Sequence, residues 1–77
     1  MTATLDFMVL RAQSETFNTA LYRFLELRQG PVLDVPAMLK SEPHGPVHKK
    51  TVTLWNDDAL IDFVNFWGDF RRRAQAG

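Results

Sequence analysis

The sequence predicts an α+β domain, a small two-layer sandwich in which two helices pack on one face of a three-stranded sheet. Two segments carry apolar residues at helical spacing, and the segments around them alternate apolar and polar residues as strands do. The element order is β-α-β-β-α, and amphipathic helices of this kind need an apolar sheet face to pack on. A composition of 45% hydrophobic and 23% charged residues is typical of a folded globular chain.

The chain is expected to form a single domain, 1–77, because no linker, repeat or low-complexity segment divides it. A core of this size supplies little net stability, so we expect oligomerisation to add to it. The sequence has no cysteine, which excludes disulfides, thiolate metal ligands and a cysteine nucleophile. Such a chain fits a reducing compartment, and we expect a cytoplasmic protein.

The first two elements follow from apolar spacing. Residues 4–11 alternate as a strand does, and residues 15–29 predict a helix, with Ser14 as its N-cap and Gly30 and Pro31 ending it. One strand face carries Leu5, Phe7 and Val9, and the other carries Asp6, Met8 and Leu10. The apolar stripe of the helix comprises Phe17, Ala20, Leu21, Phe24 and Leu27.

The middle of the chain is ambiguous. Residues 32–39 alternate like a strand, but Pro36 cannot donate a hydrogen bond, so an edge strand and an extended loop both remain open. Residues 41–46 predict a turn, and residues 47–55, rich in Thr and Val, predict a strand that can pair with the preceding segment as a hairpin.

A second helix is predicted over 57–73, with Asn56 and two aspartates at its start. Its core stripe comprises Leu60, Phe63, Val64, Trp67 and Phe70. Phe66 lies at the edge of this stripe, and Ile61 and Gly68 lie off it. Because glycine destabilises a helix interior, Gly68 suggests the close approach of another backbone.

Two surfaces are therefore candidates for protein contact. The second face of the sheet would expose apolar side chains to water in a monomer, and so would one flank of the second helix. The candidate interaction residues are Met8, Leu10 and Trp55 on the sheet and Ile61, Phe66 and Gly68 on the helix. We expect a homodimer, with an unknown protein as a further partner.

Nucleic-acid binding is the alternative hypothesis, because basic residues occur in two clusters. These are His48, Lys49 and Lys50 on the third strand, and Arg71, Arg72 and Arg73 at the end of the second helix. Nine basic and nine acidic residues leave a net charge of zero, and no nucleic-acid-binding motif is present, so this hypothesis is not favoured.

No metal site or cofactor is expected. Glu42, His44 and His48 are the only closely spaced ligand types, and their spacing on a turn does not direct all three to one point. Ser14 is interpreted as a helix cap, since neither histidine has a sequence relation to it. No apolar run is long enough to cross a bilayer, and residues 1–10 lack the basic start of a signal peptide, so no membrane partner is expected.

This arrangement is broadly similar to half of a ferredoxin-like sandwich, a layout that hosts enzymes, regulators and binding modules alike. The sequence favours a small interaction or regulatory domain without catalytic activity. A small dimeric enzyme or ligand-binding protein of ferredoxin-like type is the third hypothesis, after nucleic-acid binding.

Overall fold

The computed structural model describes residues 2–28 and 38–76, and it confirms the predicted fold class. The strands are β1 (Ala3–Leu10), β2 (Leu39–His44) and β3 (Val47–Leu54), and the helices are α1 (Ser14–Arg28) and α2 (Asp57–Ala76). A short 3₁₀ turn, Arg11–Gln13, joins β1 to α1. The order is thus β-α-β-β-α, with both helices in contact with the sheet.

The sheet has the strand order β1-β3-β2 and is antiparallel throughout. The register between β1 and β3 is continuous, from Ala3 opposite Leu54 to Leu10 opposite Val47. Since β3 lies between the other two strands, β1 and β2 each form one edge of the described sheet.

The second strand differs from the prediction. Residues 41–44 belong to β2, so the turn is confined to Gly45 and Pro46, and Gly45 takes the positive φ of 61° that this tight connection requires. Pro43 is compatible with β2 because β2 is an edge strand. The nitrogen of a proline, which has no N–H, can face the unpaired side of such a strand without the loss of a hydrogen bond to the sheet. Of the segment 32–39, for which strand and loop were both open, residues 32–37 lie outside the described residues, and Leu39 begins β2.

Strand alternation gives the sheet two different faces. The inner face packs against the helices and includes the buried side chains of Val9, Val52 and Leu54, as the alternation predicted. The outer face carries polar pairs: Thr4 and Thr53 share a hydrogen bond of 2.9 Å, and the Thr51 hydroxyl donates to Asp6. It is therefore more polar than the sequence suggested.

The core is a cluster of aromatic rings between the sheet and the antiparallel helices. Phe63 of α2 packs edge-on against Phe7 of β1 and Phe17 of α1, with both centroid distances 5.5 Å, and Phe24 completes the cluster at 5.3 Å from Phe63. Edge-to-face pairs of this kind add to the stabilisation that burial alone provides. Trp67, predicted to lie in the core stripe of α2, packs against the core in contact with Phe17 but is only half-buried.

Two residues assigned to the apolar stripes are exposed. Leu27 is 72% exposed, and Leu25 packs against the core instead. Val64 is 40% exposed, because α2 contacts α1 through the side that carries Asp62 and Phe66, which rotates its stripe away from Val64.

The helix starts are capped differently from one another. Asn56 caps α2 as predicted, accepting a hydrogen bond of 2.8 Å from the Ala59 N–H. Ser14 is not an N-cap, because it has helical backbone angles and follows the 3₁₀ turn directly. Its hydroxyl is therefore available for another partner.

Candidate functional site

The first candidate site is the open edge of β1. This strand pairs with β3 along its whole length, and no strand of the described residues covers its other side. Natural sheet edges are usually blocked by charges, proline or bulges. The β2 edge is blocked in this way by Lys40, Glu42 and Pro43, whereas β1 has Asp6 as its one charged residue and an uninterrupted register.

The flank of α2 extends this edge. Ile61 and Gly68 lie on the side of α2 opposite Asp62 and Phe66, which contact α1, because successive helical residues are about 100° apart. The Phe63 ring packs on Phe7 of β1, as does the Phe17 ring of α1. The polar side chains Ser14 and Asn18 of α1 contact β3. The flank with Ile61 therefore faces away from α1.

The open edge of β1 and the exposed flank of α2 are together called the β1 edge surface. Leu5 lies on the helix side of the sheet, and Met8 and Leu10 lie on its outer face. Among the described residues, five of the seven exposed large hydrophobic side chains belong to it. They are Leu5, Met8 and Leu10 of β1, and Ile61 and Val64 of α2. The other two exposed hydrophobic side chains, Tyr22 and Leu27, lie on α1.

The predicted interaction residues have different positions in the structure. Met8, Leu10 and Ile61 are exposed as expected, at 62%, 55% and 59%. Trp55 is not on the outer sheet face, because it follows the end of β3 and packs half-buried against the core, beneath the Arg28 guanidinium. Phe66 is likewise half-buried, in contact with the ring of Phe24.

Gly68 is not explained by contacts within the described chain. A methyl group added at its Cα would meet only the Arg72 guanidinium, at 3.7 Å. No other backbone of the described residues packs there, so a contact that requires glycine would come from another molecule.

The structure separates the predicted basic patch. Alternation along β3 places Lys49 on the outer face, where its ammonium lies 3.6 Å from the Glu42 carboxylate, and places Lys50 on the inner face. Arg72 forms an ion pair with Asp69 within α2. The remaining basic residues are also divided, with His48 facing inward and Arg71 and Arg73 exposed on α2.

The three candidate metal ligands do not converge on one point. Glu42 and His44 are neighbours on the outer face, where the His44 Nε2 atom lies 3.5 Å from the Glu42 carboxylate oxygen Oε2. His48 points to the inner face. Within residues 2–28 and 38–76, no group of three or more acidic, histidine or cysteine side chains could hold a metal ion.

The second candidate site is a group of polar side chains between α1 and the β2 side of the sheet, here called the polar cleft. Its members are Ser14 and Asn18 of α1, Ser41 of β2, and His48 and Lys50 of β3. Lys50 is only 1% exposed, and its ammonium donates a 3.1 Å hydrogen bond to the Asn18 amide oxygen. Ser41 is exposed, so the β2 end of this group lies at the protein surface.

The His48 ring lies between a hydroxyl of α1 and a hydroxyl of β2. Its Nδ1 atom lies 3.4 Å from the Ser14 hydroxyl and 3.5 Å from the Ser41 hydroxyl. The sequence did not lead to a prediction of this site, because Lys50 was grouped with its neighbour Lys49. Strand periodicity was the available signal, since residues 48, 50, 52 and 54 of one strand must share a face.

We expect Lys50→Met to remove a pH dependence from the stability of the fold. Burial lowers the pKa of Lys50 from its ordinary value of 10.5. Between the lowered pKa and 10.5, the unfolded chain binds more protons than the folded chain, so the free energy of unfolding rises with pH through this window. Below the window the fold bears the full cost of a buried ammonium, which methionine avoids.

Urea unfolding at a series of pH values measures this difference. The unmutated protein should gain stability toward high pH relative to Lys50→Met, and Lys49→Met on the outer face is the matched control. Parallel pH curves for the unmutated protein and Lys50→Met would contradict the assignment of a charged, buried ammonium to this position.

No helix of the described residues is long and apolar enough to span a membrane. Comparisons with family models, curated proteins and solved structures give no significant match to this chain.

Proposed function

We propose that this chain is a small protein-interaction domain that acts as a homodimer joined through the β1 edge surface. The observation that carries the proposal is the concentration of exposed hydrophobic side chains beside β1, an edge strand of the described sheet that has Asp6 as its one charged residue. In water, an edge of this kind leaves backbone N–H and C=O groups and apolar side chains ready for a partner strand.

A second copy of the chain fits this edge well. Two β1 strands related by a two-fold axis perpendicular to the sheet pair antiparallel, giving one six-stranded sheet with all helices on the same side. The flanks of the two α2 helices then face each other across the axis. Ile61 and Val64 become covered, and the missing side chain of Gly68 lets the helices approach closely.

The charge on β1 selects the register of this pairing. A register centred on Asp6 would place two carboxylates directly opposite each other, which is unfavourable. Centring the axis on Phe7 avoids this and keeps seven residues of each strand paired, 4–10, with Asp6 opposite Met8 of the second copy. Thr4 then lies opposite Leu10.

The proposal is tested by introducing a lysine at either of two exposed aliphatic residues and measuring dimer stability. Ile61→Lys buries an unpaired ammonium in the proposed interface, so we expect at least a tenfold weaker dimer. Leu27→Lys introduces the same charge at a more exposed site on α1, away from β1, and should leave the dimer unchanged. Sedimentation over a micromolar concentration range measures both.

Two results would oppose the proposal. If the homodimer exists, the unmutated protein sediments as a dimer at high micromolar concentration, so a clean monomer there rules it out. Equal weakening by Ile61→Lys and Leu27→Lys would show that the β1 edge surface is not the interface.

A further inference from the structure

The polar cleft has a donor composition that suits a negatively charged ligand. All five of its side chains carry N–H or O–H groups, and none is a carboxylate. The ammonium of Lys50 forms no ion pair with any carboxylate of the described residues. A metal cation would be repelled by this ammonium, whereas an anion would be attracted.

Lys50 has unused hydrogen-bonding capacity. An ammonium has three N–H donors, and Asn18 is its one acceptor among residues 2–28 and 38–76. A buried lysine without a carboxylate destabilises a fold, since the charged group loses its hydration. Such a cost is typical of functional sites, where binding a ligand of opposite charge offsets it.

The hydroxyls beside His48 also have capacity to donate. Ser14 and Ser41 both approach the same Nδ1 atom, which can form one good hydrogen bond. At least one of the two hydroxyl protons is therefore not donated to His48 and can be donated to a ligand.

We propose that the polar cleft binds an oxyanion, such as a phosphate group, between Lys50, His48 and the hydroxyls of Ser14 and Ser41. The ligand enters past β2, where Ser41 is exposed. This site lies on the β2 side of the sheet, away from the β1 edge, so it does not depend on the dimer proposed above.

The two histidines of the chain provide a direct test in the unmutated protein. Inorganic phosphate is titrated against chloride at constant pH and ionic strength, and the ring signals of both histidines are followed by NMR. We expect saturable shifts for His48 in the cleft and none for His44, which lies on the outer face. Sulfate and acetate titrations distinguish a tetrahedral ligand from a carboxylate.

A pair of lysine variants separates the cleft from general charge effects. Lys50→Met should weaken phosphate binding at least tenfold, whereas Lys49→Met, which removes an ammonium from the outer face, should leave it unchanged. If His48 and His44 shift together, or neither shifts with any of the three anions, the cleft is not an oxyanion site.

Discussion

Phe24→Ala is expected to unfold most of the protein, because it should lower the free energy of unfolding by about 3–5 kcal/mol. The ring of Phe24 is 3% exposed and contacts Phe63 and Phe66 at centroid distances of 5.3 and 5.6 Å. Removing it leaves a cavity between the helices and deletes both aromatic contacts. A domain of this size has little more stability than this loss.

Thermal melting followed by circular dichroism measures the effect. Tyr22→Ala is the matched control, since it removes an aromatic ring from the same helix at a position that is 52% exposed, and it should change stability by about 0.5 kcal/mol or less. A Phe24→Ala variant that melts cooperatively within a few degrees of the unmutated protein would show that the core lies elsewhere.

Local sequence patterns were sufficient for most of the elements. Period-two alternation located β1, the Thr- and Val-rich composition of residues 47–55 located β3, and helical spacing with Asn56 as a cap located α2. The pattern was weaker for β2, where exposed polar residues and Pro43 are typical of a turn. Pairing with β3 makes this segment a strand, and that interaction is not visible in the local sequence.

The exact orientation of the helices depended on tertiary contacts. A helical wheel cannot distinguish Val64 from Phe66 when both border an apolar stripe. The contact of Phe66 with Phe24, and of Arg28 with Asp62, decides which of the two is covered. The same contacts leave Trp67, predicted to lie in the core stripe, only half-buried.

Both candidate sites follow from the strand order, which the sequence did not specify. With β3 in the centre, Lys50 comes beneath α1 and next to Ser41 on β2, although the two residues are nine positions apart. The same order leaves β1 at an edge. Met8 and Leu10 were predicted to lie on an apolar second face of the sheet. In the structure they are exposed beside the open edge of β1.

A double cysteine variant, Thr4→Cys with Leu10→Cys, is expected to form a covalent dimer almost completely under mild oxidation. In the register centred on Phe7, these positions lie directly opposite each other in the two copies, at a Cβ separation of about 4.5–5.5 Å that small adjustments bring to disulfide distance. The chain has no other cysteine, and the two positions are about 20 Å apart within one strand, which prevents an internal disulfide.

The control variant, Asp6→Cys with Leu10→Cys, tests the register itself. Its cysteines would be opposite each other only if the axis were centred on Met8, a register that pairs fewer residues of β1, so it should cross-link slowly. Non-reducing gel electrophoresis measures both yields. Faster cross-linking of the control would contradict the Phe7 register, and failure of both variants to cross-link would exclude the registers centred on Phe7 and on Met8.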